Sequence, residues 1–381
     1  MANTFRQDVD FLSQHTDVVV LDAKGALVAV APGYQGRVMT SSPSGEAGKS
    51  LGWVNRKFIS AGQTGTTFDN YGGEDRFWMG PEAGQYSLWF QQGEPFDLQH
   101  WKTPDALNAG EFRIESRSSS AVNMASDFAL VSYSGTRFDI ALRRSVRLLD
   151  EQAVAEHLGQ AVPKGVAQVA FESVNSVTNA ASTPWRRDSG LLSIWILGQF
   201  APLARGLVIV PFVPGGKKAM GPLPNGEYFG KMGPDRFQVL PEHVLFRCDG
   251  KFRSKIGVSA KRARNILGSF DPDENILTIV QFNLPGGSSA LPYVNSLWEI
   301  QKQPYAGDVV NSYNDGEEKP GAGQNGPFYE METSSCAPEL GAGESLTHVH
   351  RTFHFTGERS KLNALAKGLL GLDLETVEFP Q

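Results

Sequence analysis

Apolar and polar residues alternate along most of the chain, in short segments that glycine and proline separate. A period of two is typical of strands with one buried face, so it predicts strands at residues 17–21, 27–31 and 37–40 and in many later segments. A helical period occurs only near the two ends, at residues 4–15 and 360–370. The pattern therefore predicts an all-β fold, antiparallel throughout, with few short helices.

The most informative alternation lies in two late segments, residues 327–335 and 346–355, which a glycine-rich turn separates. Alternate side chains of a strand share a face, so Glu330 and Glu332 point the same way in the first segment. The second segment places three of the seven histidines on one face: His348, His350 and His354. Two interpretations stay open here: a hydrogen-bonded polar face inside a β-sandwich, or the floor of a ligand site with acid–base or metal chemistry.

The length of 381 residues allows one large β domain or two ordinary ones. No repeat of fixed period and no low-complexity linker divides the chain, so we predict a single domain over residues 1–381. The 41 glycines and 22 prolines suit many strands joined by tight turns. Cys248 and Cys336 are the only two cysteines, too few for a disulfide framework.

Charge and hydropathy narrow the choice of partners and compartment. The formal net charge of -6 provides no basic surface for nucleic acid. No apolar run reaches the roughly 18 residues of a membrane span. The first residues show no basic segment followed by an apolar one, which predicts a cytoplasmic protein, or a periplasmic or exported one if a signal was removed. Composition defines no oligomeric state.

A segment rich in charge, aromatic rings and glycine, residues 71–85, is the first candidate for ligand binding. Glycines let the backbone approach a ligand closely, and a tryptophan face suits the apolar face of a pyranose. Carboxylates and arginine make strong, charge-assisted hydrogen bonds with hydroxyl groups. The alternative is a turn held by a structural Glu–Arg pair. The candidate residues are Glu74, Asp75, Arg76, Trp78 and Glu82.

Two further polar residues are weaker candidates for binding. Lys255 could anchor a carboxylated or otherwise anionic sugar, and a solvated lysine at a strand end is the alternative. Asn311 opens the segment 311–316, whose Asn-Asp-Gly composition indicates a turn first.

The His-x-His spacing of His348 and His350 also suits a metal. Neutral imidazoles on one strand face bind zinc, manganese or iron together with a carboxylate, and Glu330 or Glu332 could complete the ligand set. No dinucleotide, phosphate-loop or nucleophile-elbow motif occurs in the sequence. We therefore expect no cofactor, with a divalent metal at His348 and His350 as the alternative.

Residues 328–334 (FYEMETS) and 347–355 (THVHRTFHF) resemble the closing strands of the galactose mutarotases, or aldose 1-epimerases. In that family a Leu-Glu-Thr-Gln-like strand carries the catalytic glutamate, and the match gives this place to Glu332. The opening segment that ends at Arg37 resembles the family's first hairpin, and residues 171–179 resemble the middle strand of mutarotase-like proteins of unassigned activity. The resemblance implies a galactose mutarotase-like β-supersandwich that handles carbohydrate.

The resemblance also implies a mechanism, with one departure. True mutarotases place a catalytic histidine on the middle strand, whereas residues 175–179 contain none. Ring opening of an aldose needs a base at the anomeric hydroxyl and an acid at the ring oxygen. Glu332 is then the expected base, His348 or His350 the expected acid, and Arg76 an electrostatic stabiliser.

We expect a mono- or oligosaccharide ligand in one cleft that joins the 74–82 segment to Glu332. Mutarotase or isomerase chemistry is the leading function. The alternatives are a non-catalytic sugar-binding protein and a metal-dependent polysaccharide lyase or glycoside hydrolase that uses the His-x-His face. The residues expected to contact the sugar are Glu74, Asp75, Trp78, Glu82, Arg37, Glu330, His354, Lys255 and Asn311.

Overall fold

Antiparallel strands in three sheets dominate the structure, a computed structural model that describes residues 3–65, 67–319 and 321–378. In chain order the strands are β1 (Val19–Ala23), β2 (Ala26–Ala31), β3 (Arg37–Ser42), β4 (Arg76–Gly80), β5 (Arg113–Arg117), β6 (Ala121–Val131), β7 (Arg137–Leu148), β8 (Ala167–Asn179), β9 (Ser193–Phe200), β10 (Leu207–Pro211), β11 (Phe237–Val239), β12 (His243–Arg247), β13 (Ser254–Ser259), β14 (Ile266–Asp271), β15 (Ile276–Phe282), β16 (Asp308–Asn314), β17 (Tyr329–Ser334) and β18 (Ser345–Thr356).

The helices are short and lie between or after the strands: α1 (Phe5–Leu12), α2 (Arg56–Ala61), α3 (Asp105–Asn108), α4 (Glu151–Leu158), α5 (Lys217–Met220) and α6 (Arg359–Leu370), with 3-10 turns at Ser288–Ala290 and Leu374–Thr376. The predicted all-β, antiparallel class with few helices is therefore confirmed. No helix in the described part of the chain is long and apolar enough to cross a membrane.

Two large sheets form the body of a sandwich. The ten-stranded sheet has the order β11-β12-β10-β14-β15-β18-β8-β7-β6-β5, and the five-stranded sheet has the order β13-β16-β17-β9-β4. The smaller sheet, β1-β2-β3, packs beside them. Apolar side chains of the two large sheets meet in shared clusters, for example Val280 with Met331 and Phe171 with Ile196.

Helices cover part of the other face of the ten-stranded sheet. Phe353 and Phe355 of β18 join Leu362 and Leu365 of α6 in one apolar cluster. The alternating set of β18 that contains its three histidines is buried at each of them, whereas the opposite set is covered at Phe353 and Phe355 and exposed at Thr347.

Local chain chemistry explains where the helices begin and end. Helix α1 starts at a capping box, in which the Thr4 side chain accepts from the backbone N–H of Gln7 and the Gln7 side chain accepts from that of Thr4. Helix α4 was not predicted, although Asp150 caps it by accepting from Ala153 N–H and Gly159 ends it in a left-handed conformation.

Side chains alternate along β17, so consecutive residues point to opposite faces of the five-stranded sheet. Tyr329 and Met331 point inward and join the apolar core between the sheets. Glu330 and Glu332 point outward, away from the ten-stranded sheet. Strand β4 follows the same rule, with Phe77 in the core and its neighbours on the outer side.

Candidate functional site

A cleft of about 390 Å³ opens on the outer face of the five-stranded sheet. Its floor comes from alternate residues of four strands, and its walls from the long loops that connect them. The floor carries charge and indole rings together: Arg76, Trp78, Trp195, Lys255 and Glu330. Aromatic and charged residues of the walls include Glu82, Trp101, Phe229, Arg253, Trp298, Tyr313 and Phe328.

Glu330 and Arg76 form a buried ion pair in the floor, with Arg76 Nη2 2.9 Å from Glu330 Oε1. Burial raises the pKa of Glu330 to about 7; Arg76 opposes the rise and the nearby Glu332 adds to it. Arg76 also lies 3.8 Å from the centre of the Trp78 ring, a cation–π contact that fixes its plane. Glu330 therefore exchanges its proton near neutral pH inside an aromatic cleft.

Glu332 lies directly behind this floor and is fully buried. Its Oε2 accepts hydrogen bonds from Trp195 Nε1 at 2.9 Å and from Lys255 Nζ at 3.1 Å, and both donors line the cleft. Its Oε1 is buried and has no hydrogen-bond partner within the described residues. This oxygen therefore has the capacity for a further hydrogen bond.

Lys255 is held as a cation by this arrangement. Burial lowers the pKa of Lys255, but Glu332, Glu82 and Glu330 together raise it above its ordinary value. On the opposite wall, Trp101 Nε1 donates to Glu82 Oε1 at 2.9 Å, and burial raises the pKa of Glu82.

The structure thus brings together five of the residues selected from the sequence. Arg76, Trp78, Glu82, Lys255 and Glu330 all line the cleft. Glu332 contacts two of its floor residues from behind. Of the three residues expected beside Glu332, Arg76 and Trp78 lie in the same sheet with it, because β9 lies between β4 and β17.

Glu74 and Asp75 do not reach the cleft, contrary to the prediction. Both are fully buried on the inner side: Glu74 Oε2 lies 2.8 Å from His354 Nε2, and Asp75 pairs with Arg144 at 2.7 Å. The alternation that would align Glu74 with Arg76 begins only at Arg76, where β4 starts, because the backbone turns through Gly72 and Gly73 with φ of 88° and 108°. The predicted sugar contacts of Glu74, Asp75 and His354 are absent from the cleft.

The predicted pairing of Glu332 with His348 or His350 is also wrong as geometry. Thr333 Oγ1 lies 2.8 Å from His348 Nε2 and 2.9 Å from His350 Nδ1. Because Thr333 and Glu332 are consecutive residues of one strand, they point to opposite faces of the sheet. Burial lowers the pKa of His348 to about 3 and that of His350 to about 4, so both imidazoles are neutral at pH 7.

The expected metal ligands, two histidines and a glutamate, do not come together, because they lie on opposite sides of the five-stranded sheet. The two imidazoles share the hydroxyl of Thr333 inside the sandwich, and Glu330 and Glu332 lie beyond the sheet. Across residues 3–65, 67–319 and 321–378, no group of three or more His, Cys, Asp or Glu side chains is arranged to hold a metal ion.

Two other predicted contacts lie beside the cleft rather than in it. Arg37 is buried and donates to Gly72 O at 3.1 Å, so it supports the turn that precedes β4. Asn311 of β16 donates to Ile256 O at 3.0 Å and lines a small cavity next to Lys255.

Sequence reasoning missed Trp195, Trp101 and Arg253. Trp195 stands between two isoleucines in an apolar strand, so its sequence context indicates core. Side-chain alternation along β9 could have identified it. Ile194 and Ile196 point to the inner face of the strand, so Trp195 points to the outer face. Trp101 and Arg253 lie in or next to loops, where no periodicity indicates a direction.

An antiparallel sandwich with a polar aromatic cleft on its outer sheet defines the general class of the protein. The chain belongs to DUF6786, a family of unknown function whose sequence profile matches residues 3–380. A search among curated proteins finds no match.

Solved structures similar to the chain include proteins described as galactose mutarotase-like. A protein from Synechocystis sp. is 10% identical with a TM-score of 0.50, over 90% of this chain and 96% of that one. A galactose mutarotase-like protein from Lactobacillus casei is 11% identical (TM-score 0.47, 89% and 100% covered). A galactose mutarotase related enzyme from Lactobacillus acidophilus is 9% identical (TM-score 0.48, 89% and 97% covered). Proteins described as galactose mutarotase-like are thus among the similar structures, as the sequence resemblance predicted.

Proposed function

We propose that the protein binds a saccharide in the cleft and interconverts its anomers or isomers by acid–base chemistry. The observation that carries this proposal is the pair of outward carboxyl groups on β17, held in two different environments. Glu330 lies in the cleft floor with a pKa of about 7, and Glu332 accepts from a cation and an indole N–H. Two carboxyl groups in contrasting environments are the usual basis of acid and base roles.

The cleft also suits a sugar as a ligand. Indole rings of Trp78, Trp101, Trp195 and Trp298 provide surfaces for the apolar faces of pyranose rings. Charged donors and acceptors among them match hydroxyl groups, which both donate and accept. The volume of about 390 Å³ falls within the range of small-molecule sites.

The proposed reaction moves two protons. Glu332 takes the proton of the anomeric hydroxyl while the bond between the anomeric carbon and the ring oxygen breaks. Glu330 gives its proton to the ring oxygen, and Arg76, 2.9 Å from Glu330, stabilises the charge that Glu330 then carries. Rotation of the open-chain aldehyde and the reverse transfers close the ring as the other anomer. Glu330 takes the role that the sequence assigned to His348 or His350.

One observation favours a second candidate, a sugar-binding protein without catalysis. Glu332 lies behind Trp195 and Lys255 rather than on the surface of the cleft, so a ligand could contact the floor without reaching Oε1. This protein would bind sugars and release them unchanged.

One experiment separates the two candidates. Exchange between anomers of a panel of aldoses is followed by nuclear magnetic resonance saturation transfer, with binding measured by calorimetry on the same samples. The proposal predicts exchange faster than in buffer for at least one aldose that binds. Saturable binding of aldoses with no acceleration of any of them would contradict catalysis and leave the binding protein.

A further inference from the structure

Three cationic side chains meet in the cleft, and two of them are matched by carboxylates. Arg76 pairs with Glu330 and Lys255 pairs with Glu332. Arg253 is the third, and no carboxylate of the described residues lies within ion-pair distance of it.

Arg253 is nevertheless fixed in position. Its guanidinium lies 3.8 Å from the centre of the Phe229 ring, and Phe229 in turn contacts Tyr313 edge to face at 6.2 Å between centroids. All three residues line the cleft. A stacked guanidinium loses little further freedom on binding, and its planar fork matches a carboxylate with two parallel hydrogen bonds.

The carboxyl groups nearest to Arg253 are engaged elsewhere. Glu82 accepts from Trp101, and Asp315 accepts from Tyr313 Oη at 2.9 Å and from Gly326 N at 2.8 Å. Burial raises the pKa of both carboxyl groups. Glu318, also in the wall, is exposed to solvent.

Some buried hydrogen-bond donors at the cleft also lack acceptors. Three buried donor atoms, Nε and Nη1 of Arg76 and Nε2 of Gln199, have no partner in the described parts of the chain, against two such acceptor atoms, Oε1 of Glu332 and Oε1 of Gln199. Each hydroxyl of a neutral sugar both donates and accepts, and none of them carries a charge. A sugar with a carboxylate supplies acceptors in excess and a negative charge.

We infer that the saccharide carries a carboxylate, as in a uronic acid, and that Arg253 is the residue that selects it. This inference rests on the proposed saccharide function and names its substrate class. The sugar ring lies over the indole rings of the floor, and its carboxylate lies at the Arg253 end of the cleft.

The test compares binding of glucuronate and galacturonate with that of glucose and galactose by calorimetry on the intact protein. We expect the uronates to bind at least about tenfold more tightly, with a preference that shrinks as salt is added. Replacing Arg253→Gln keeps length and hydrogen bonding but removes the charge, and it should weaken uronate binding about tenfold more than binding of neutral sugars.

Arg187→Gln is the matched control. Arg187 is also stacked on an aromatic ring, 5.0 Å from the centre of Tyr305, but it is exposed and outside the cleft wall, so the preference should survive. Equal affinity for neutral sugars and uronates, or an unchanged preference in Arg253→Gln, would overturn this inference and leave the proposed function standing. Tighter binding of hexose phosphates than of uronates would overturn the carboxylate assignment. Binding of none of these sugars would overturn the saccharide function itself.

Discussion

The two faces of the five-stranded sheet both carry titratable side chains, yet they differ in what those side chains can do. The outer face holds Glu330 and Glu332 beside an open cleft. The inner face meets His348 and His350, which share the hydroxyl of Thr333 between two sheets. Both faces have buried polar atoms without a hydrogen-bond partner among the described residues, Glu332 Oε1 on the outer face and His348 Nδ1 and His350 Nε2 on the inner one. Access to a cavity therefore decides which cluster is a candidate site, and the number of histidines is a poor guide to it.

Among changes on the two faces, Glu332→Gln on the outer face should have the largest effect, which is a loss of turnover. This change removes the proposed base but keeps an acceptor for Trp195 and Lys255, so turnover should fall about 100-fold or more, the usual scale of a lost general base. Initial rates of anomer exchange on an aldose that binds would measure it, with exposed Glu111→Gln as a control that keeps the wild-type rate.

Glu332→Gln also leaves the buried Lys255 without its partner charge, which should lower stability. A second variant is therefore needed to separate loss of stability from loss of turnover. The double change Glu332→Gln with Lys255→Met removes both charges and should restore thermal stability without restoring turnover. Recovery of turnover together with stability would show that Glu332 is structural.

A change on the inner face should lower stability and leave sugar binding intact. Thr333→Val removes the hydroxyl that both imidazoles contact, leaving buried nitrogens unsatisfied, and should cost about 2 kcal/mol of unfolding free energy. Urea denaturation would measure this, with exposed Thr347→Val of β18 as the control. Sugar affinity should stay within about twofold, and loss of sugar binding in the folded variant would place the ligand on the histidine face.

The pH dependence of turnover should report Glu330. A general acid must hold its proton, so turnover should decline as pH rises through about 7, the pKa of Glu330, and then by about tenfold per pH unit. Glu330→Gln cannot donate this proton and should show a low rate without that decline. A wild-type rate that keeps rising well above this pH would remove Glu330 as the acid.

The smallest of these effects concerns the aromatic wall. Trp298→Ala removes a ring that faces the cleft and packs against Phe90, and should weaken sugar binding about tenfold, or roughly 1.4 kcal/mol. Calorimetric titration would detect it, whereas Trp185→Phe, at a tryptophan outside the cleft wall, should bind sugar normally.

Periodicity predicted which residues share a face, but it could not predict which face is open. Glu330 and Glu332 were placed together correctly, and so were His348 and His350. The direction was missed because β18 is a central strand of the ten-stranded sheet, and its polar set faces the five-stranded sheet inside the sandwich. Glu74 was misplaced because the glycine turn before β4 breaks the alternation, and Arg253 was missed because its direction depends on its contact with Phe229. The organisation as a single domain stays a prediction.

The most direct test of the account is a crystal structure of the protein with a bound saccharide. We predict a sugar ring against Trp78 and Arg76, with a hydroxyl or ring oxygen within hydrogen-bond distance of Glu330. A second cavity of about 460 Å³ reaches His354 and Thr278 at another part of the molecule. Sugar bound there, with the outer cleft empty at saturating ligand, would contradict the account.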